Sequence, residues 1–254
     1  MELYLQWMEL MKDGIDIPFW QEFYVKFYQA FIENNRWLQY LKGVGSTLMV
    51  TALALVIGVI LGVLVAVIRT VHDQQRPGKH NPFLGIVNGI CKIYVTVIRG
   101  TPMLVQLLIM GFVIFSTSRQ YTAIGILTLG INSGAYVAEI IRGGLMSLDP
   151  GQAEAGRSLG LNYVDTMRFI VIPQAFKAIL PSLGNEFITL LKDTALIYTI
   201  GGEELLYAAK AISTRTYEQM FPLVGTAILY LILVLIFTWL QGILERRLRQ
   251  SDRR

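Results

Sequence analysis

Polar and ionisable side chains sit at helical spacing inside otherwise apolar stretches of this sequence, and they are the first candidates for chemistry. Asn132, Tyr136, Glu139 and Gly143 fall at i, i+4, i+7 and i+11, which is one face of a helix. Asn185, Thr189 and Lys192 make a second polar face, with Glu186 and Asp193 beside it. Within membrane helices such residues face protein or water and mark paths for polar solutes. The same side chains also suit a structural role, with Glu139 paired to Arg142 and Lys192 paired to Asp193 or Glu186. Pro173 and Pro181 are expected to bend the helix carrying the second face, or to break it from its lead-in.

Covalent, redox and metal chemistry is poorly supplied. Cys91 is the one cysteine and has no partner for an internal disulfide, and His72 and His80 are too few and too badly spaced for a metal cluster. No G-x-x-x-x-G-K-[ST] phosphate loop, H-E-x-x-H or G-x-S-x-G occurs. The chain is therefore expected to have no catalytic site, no metal and no cofactor of its own.

A second signal is a short polar segment. Asp149 followed by Pro150 is a good cap and first position for a helix, and it opens a segment that runs to Leu161. This segment is too short and polar to cross a membrane, and Gly156 and Gly160 would each weaken a free helix by about 1 kcal/mol relative to alanine. Something else must hold it. Small residues at Ala153, Ala155, Gly156 and Gly160 leave a low surface that fits a partner's groove, with Glu154 and Arg157 fixing orientation by charge. The alternative is a plain connecting loop.

The elements that position these residues follow from composition. The chain has 254 residues, 54% hydrophobic and only 16% charged, with a mean hydropathy of +0.50. One compact core cannot hide that much apolar surface, so membrane lipid must cover the rest. The net charge of +4 does not point to nucleic acid, because the cations gather at the ends of apolar runs. Residues 43–68 and 219–244 are uncharged and long enough to span about 30 Å of hydrocarbon. Gly58 and Gly62 form a GxxxG step in the first of these, suited to packing within the subunit or to a dimer contact. Residues 100–118 and 120–138 are two further uncharged runs, and 178–202 is a fifth candidate interrupted by Glu186, Lys192 and Asp193. Phe83 to Ile98 reads as an interfacial lead-in helix, and Pro102 as a helix start.

The tail from Arg246 to Arg254 carries five arginines and should be cytoplasmic, as should the loop with Arg69, Arg76 and Lys79. An odd number of spans satisfies both, about five, with the N-terminus outside. Residues 1–42 carry six acidic and four basic residues and lack the pattern of a cleavable signal. They are expected to form an extracytoplasmic extension, with Phe19, Phe23, Phe27, Ala30 and Phe31 on a helix that lies on the membrane or packs on the bundle. The fold class is thus an all-α polytopic membrane protein: an extension over 1–42, a membrane domain over 43–245 and a basic tail over 246–254.

Several motifs together resemble the permeases of binding-protein-dependent ATP-binding-cassette importers of the polar amino-acid type. That family carries a cytoplasmic signature E-A-A, three residues, G, nine residues, I, one residue, L-P. Here Glu154-Ala155-Gly156, Gly160, Ile170 and Ile172-Pro173 match its spacing, departing only at Gly156 and Ile172. Arg99-Gly100-Thr101-Pro102, Glu139-Ile140-Ile141-Arg142-Gly143-Gly144, Pro173-Gln174-Ala175 and Leu191-Lys192-Asp193-Thr194 extend the likeness over roughly residues 47–244. The resemblance implies a type I importer membrane domain in a bacterial inner membrane, taking up a polar amino acid by ATP-driven alternating access. It implies that residues 150–161 form a coupling helix seated on an ATPase subunit, with Glu154, Ala155, Gly156, Arg157, Gly160, Ile170 and Pro173 as its motif residues. It also implies an ATPase dimer that binds ATP and magnesium, a second permease, identical or not, and an extracytoplasmic solute-binding protein. A zwitterionic amino acid needs an acid or carbonyl for its ammonium and a donor for its carboxylate, and the two polar faces offer both. A gradient-driven transporter built on inverted repeats fits less well, because no internal repeat is found.

Overall fold

Long uncharged runs in a bilayer must satisfy their backbone groups internally, so they fold as helices. The computed structural model describes residues 2–75 and 81–251 and holds no strand among them. In chain order the helices are α1 (Glu2–Lys12), α2 (Phe19–Phe31), α3 (Trp37–Asp73), α4 (Pro82–Gly100), α5 (Met103–Ile109), α6 (Tyr121–Met146), α7 (Pro150–Ser158), α8 (Tyr163–Thr166), α9 (Ile172–Asp193), α10 (Leu205–Thr216) and α11 (Met220–Ser251). Single π-type turns extend α5 through Met110–Ile114 and join α8 to α9 through Met167–Val171. A 3₁₀ stretch, Thr194–Ile200, continues α9.

Among the described residues four helices are long and apolar enough to cross a membrane: α3, α4, α6 and the part of α11 from Met220 to Leu248. Contacts at the two ends of the bundle establish the remaining crossings. At one end Tyr163 bonds to Gln74 and the Asn81 N–H donates to Gln75 Oε1 at 2.7 Å, gathering the end of α3, the start of α4 and α8. At the other end the Leu205 N–H donates to Thr47 Oγ1 at 3.2 Å and the Glu203 N–H to Thr122 Oγ1 at 2.9 Å. These bonds gather the third turn of α3 and the first turn of α6 with the segment that follows α9. Five passes therefore connect the ends: α3, α4 with α5, α6, α9 with its 3₁₀ stretch, and α11.

The second pass begins earlier than the sequence reading placed it. Residues 82–100 form a spanning helix, not an interfacial lead-in, while the run 100–118 supplies only α5 and its π turn. The reason lies at Thr101-Pro102, where Thr101 is extended and Pro102 has no N–H to continue α4. Pro102 caps α5, as expected of a helix start. Pro173 and Pro181 do not break the fourth pass. Pro173 lies in the first turn of α9, just after the π turn and Ile172, and α9 runs through Pro181 uninterrupted. Arg69 is likewise not a loop residue but lies within α3. Arg76, Lys79, His80 and Pro77 lie outside the described residues, as does the end of the tail from Asp252.

The core is the α3–α6 contact. A Cβ on Gly58 would lie 2.7 Å from Ser133 Oγ, and one on Gly62 2.5 Å from Val137 Cγ1. The GxxxG step therefore serves packing within the subunit. Reciprocally, a Cβ on Gly130 would lie 2.7 Å from Ile57, and one on Gly134 2.9 Å from Leu61. Val50, Ala54, Leu107, Leu129, Leu190 and Ile197 close the core around this seam. At the α2 end Glu204, 1% exposed, caps α10 by accepting from the Leu206 and Tyr207 N–H groups at 2.7 and 2.8 Å and from Tyr230 Oη at 2.6 Å. The aromatic face of α2 packs on the bundle, with Phe23 and Phe221 centroids 4.9 Å apart and Lys26 3.4 Å from Glu218. Phe19 and Trp20 remain exposed.

Gly62→Val is expected to overpack the seam against Val137 at a cost of about 1–3 kcal/mol. Gly45→Val meets nothing within 4 Å. Thermal unfolding of the two purified variants checks this: Gly62→Val should melt several degrees lower than wild type, and well below Gly45→Val.

Candidate functional site

The break between α4 and α5 is held by a side chain that the sequence reading missed. Pro102 cannot donate to the Ile98 carbonyl, and Gln106 Nε2 supplies that bond at 2.7 Å while also reaching the Thr101 carbonyl at 3.1 Å. Gln106 Oε1 then accepts from Asn132 Nδ2 at 3.0 Å, which turns the first polar residue of the α6 face toward the break. The available signal was an amide four residues beyond a proline that leaves a carbonyl without its donor.

One turn along the same face, Tyr136 is 37% exposed and lies beneath the Arg99 guanidinium, 5.2 Å from its ring centroid. Glu139 follows and is heavily engaged. Arg69 on α3 bonds to its Oε1, while Arg142 Nη2 and Arg99 Nη1 lie 3.4 and 3.8 Å from its Oε2. The pairing with Arg142 considered from the sequence is present, with two further arginines added. Beyond it Gly143 faces open space.

The second face divides. Glu186 turns inward and accepts from Ser133 Oγ on α6 at 2.7 Å, tying α9 to the glycine seam. Asn185 is exposed and receives Gln241 Nε2 of α11 at 3.0 Å. Thr189 and Lys192 are exposed and Asp193 is half-buried. The alternative pairing of Lys192 with Asp193 or Glu186 is absent, since no ion pair joins them among the described residues. Among the described residues no hydrogen bond or ion pair links Asn185, Thr189 or Lys192 to the Asn132–Gly143 face. The two faces share one bundle without converging on a single point.

The short polar segment is a helix with defined ends. Asp149 Oδ1 accepts from the Gly151 N–H at 2.8 Å and Pro150 occupies the first turn. The helix stops at Ser158, so Gly160 is not a weak point in its interior as the sequence reading held. Its φ of +82° is left-handed, and the Gly160 and Leu161 N–H groups return to the Arg157 and Gly156 carbonyls at 2.9 and 3.1 Å. That is a Schellman stop, in which glycine carries no Cβ penalty. Gly156 is buried, and a Cβ there would lie 2.9 Å from both Ile170 Cδ1 and Thr166 Cγ2. The glycine in place of the usual second alanine thus lets α7 sit directly on Ile170. Pro173 opens α9 next to Gln174, whose Nε2 donates to Gln152 at 3.1 Å. Outward, Glu154 and Arg157 are 70% and 64% exposed in side chain and Leu159 is 80% exposed. Ala155 is exposed between them. Exposed Tyr163, Val164 and Phe169 extend this surface.

Comparison with known proteins agrees with this arrangement. Residues 81–250 match the family model described as "binding-protein-dependent transport system inner membrane component". The arginine transport system permease protein ArtQ of Bacillus subtilis (strain 168) is 35% identical over 217 residues, covering 84% of this chain and 93% of that protein. The glutamine transport system permease protein GlnP of Escherichia coli (strain K12) is 35% identical over 214 residues, covering 82% and 92%. Among solved structures, an amino acid ABC transporter crystallised with histidines superposes with a TM-score of 0.74 at 40% identity, covering 82% of this chain and 94% of that one. The MetNI methionine ABC transporter shares the fold, with a TM-score of 0.71 at 20% identity. A membrane bundle of this topology, with a capped polar helix held out at one end and a family match over most of its length, belongs to the inner membrane components of binding-protein-dependent transport systems.

Proposed function

We propose that this chain forms part of the membrane conduit of an ATP-driven bacterial importer for a polar amino acid. The observation that carries the reading is α7: a short helix fixed at both ends, seated on Ile170 and Thr166, with Glu154, Arg157 and Leu159 turned outward. Such a surface fits a cleft in a separate ATPase, which would hold ATP and magnesium. The amino-acid class is supported by the printed names of the relatives. The working assembly has two ATPase subunits, a second permease and a solute-binding protein on the outer side.

Motion at α7 has two routes into the membrane. It follows directly on α6 through Ser147–Asp149, and it packs on the π turn that leads into α9. Those helices carry the two polar faces, so closure of the ATPase dimer would move both walls of the path together. A bistable bundle of this kind exposes its path to one side at a time, and the partner's ATP cycle biases the equilibrium.

Gly160→Pro is expected to abolish ATP-driven uptake while the chain still inserts, because proline cannot adopt the left-handed φ and loses the N–H that returns to Arg157. Gly160→Asn, which tolerates that conformation, should retain most uptake. Glu154→Arg should weaken ATPase co-purification more than thermal stability. Uptake and hydrolysis stimulated by loaded binding protein, measured in proteoliposomes with the partner subunits, test this. Normal coupling in both Gly160→Pro and Glu154→Arg contradicts the role of α7.

Orientation is tested separately, in a background with Cys91 replaced. Gln6→Cys, exposed on α1, should react with an impermeant thiol reagent in intact cells, whereas Gln75→Cys should react only after the membrane is opened. The reverse pattern overturns the assigned sidedness.

A further inference from the structure

Glu139 stands among more positive charge than it can neutralise. Arg69, Arg99 and Arg142 all converge on its two carboxylate oxygens. Lys92, on the same flank of α4 as Thr96 and Arg99, opens with them on a cavity of about 340 Å³ that Arg69, Val95 and Glu139 also line. Lys92 has no hydrogen-bond or ion-pair partner among the described residues. The Nε atoms of Arg69 and Arg142 are buried and lack acceptors. Four cations therefore face one carboxylate, an excess of three positive charges between membrane helices, where uncompensated charge is costly.

This arrangement leaves Glu139 poorly suited to pair with a substrate ammonium. Its oxygens are already taken, and an incoming cation would meet the surrounding guanidinium groups. The cavity instead offers donors: the Arg99 guanidinium, which lies over the Tyr136 ring and is 42% exposed in side chain, the Lys92 ammonium and the Thr96 hydroxyl. Planar guanidinium forks and a nearby ammonium are the groups that bind carboxylates and phosphates.

We infer that the cavity between α3, α4 and α6 beside Glu139 is a binding site for an oxyanion. Two sources carry that chemistry. One is the α-carboxylate of the transported solute, which rests on the transport reading above. The other is the phosphate of an anionic phospholipid, for which basic pockets between membrane helices are suited, and which does not rest on it.

The assembled transporter in nanodiscs tests the inference in two arms. Wild type is compared with Lys92→Gln, where the lysine makes no hydrogen bond or ion pair among the described residues, and with Arg99→Gln. In the lipid arm, trace spin-labelled phosphatidylglycerol is added to phosphatidylcholine nanodiscs, with spin-labelled phosphatidylcholine as control. In the solute arm, pure phosphatidylcholine nanodiscs are titrated with radiolabelled L-amino acids and with their amides, which lack the carboxylate. The variants should lose affinity by about tenfold or more in one arm, as expected for hydrogen bonds to a charged group. Loss of immobilised phosphatidylglycerol identifies a lipid phosphate; loss of amino-acid binding, with amides unbound by wild type, identifies the solute carboxylate. If both variants match wild type in both arms, including where wild type binds neither probe, the site is refuted. ATP-driven uptake by wild type is measured with the same purified transporter reconstituted into proteoliposomes. Uptake with no response in either arm refutes the oxyanion site alone, whereas no uptake with a phosphatidylglycerol response refutes the transport reading alone.

Discussion

Helices in lipid gain little from hiding apolar surface against one another, so close backbone packing and polar bonds must hold them together. In this chain that condition is met at the seam of α3 and α6, where Gly58, Gly62, Gly130 and Gly134 remove the side chains that would keep the two backbones apart. The seam brings Arg69 of α3 against Glu139 of α6. It also places Ser133 where Glu186 of α9 reaches it at 2.7 Å, and lets Tyr94 of α4 donate to the Ile131 carbonyl at 2.5 Å. Separating α3 from α6 would therefore remove the packing and the Arg69–Glu139 pair together.

Much of this was legible in the sequence because it is one-dimensional. Uncharged runs gave the first, third and last passes, and the arginine-rich end gave an odd number of crossings. Asp149-Pro150 marked the start of α7, and the spacing from Glu154 to Pro173 matched the family's signature. What stayed hidden depends on three-dimensional compensation. Residues 82–100 looked interfacial because Lys92 interrupts them, and the cost of that charge is set by what else lines its cavity. Arg69 looked like a loop residue because it ends an apolar run, whereas its partner lies seventy positions away on another helix. Pro173 misled for the same reason, because the π turn Met167–Val171 carries the chain into α9 without a break, whereas Pro102 marked a helix start as expected.

Glycine also changes meaning with position. In the seam it permits contact, at Gly156 it seats one helix on another, and at Gly160 it ends a helix with a left-handed residue. Helix propensity alone treats all three as weaknesses. The structure shows each as the condition for a specific approach or turn, and α7 is stable because both its ends are capped and one face is buried against Ile170 and Thr166. On the proposed reading, a short helix held in this way would transmit displacement to α6 and α9 where a flexible loop would not.

The contact between α7 and an ATPase is the point on which the functional reading turns, and site-directed crosslinking measures it most directly. With Cys91 replaced, Leu159→Cys, 80% exposed at the tip of α7, would be oxidised against single cysteines placed around the cleft of the co-expressed ATPase subunit. Tyr217→Cys, 94% exposed at the opposite end of the bundle, serves as the comparison. A disulfide from position 159, altered in yield by ATP and absent from position 217, is the expected result. Crosslinking from position 217 with none from position 159 would contradict the assignment of α7 as the coupling element.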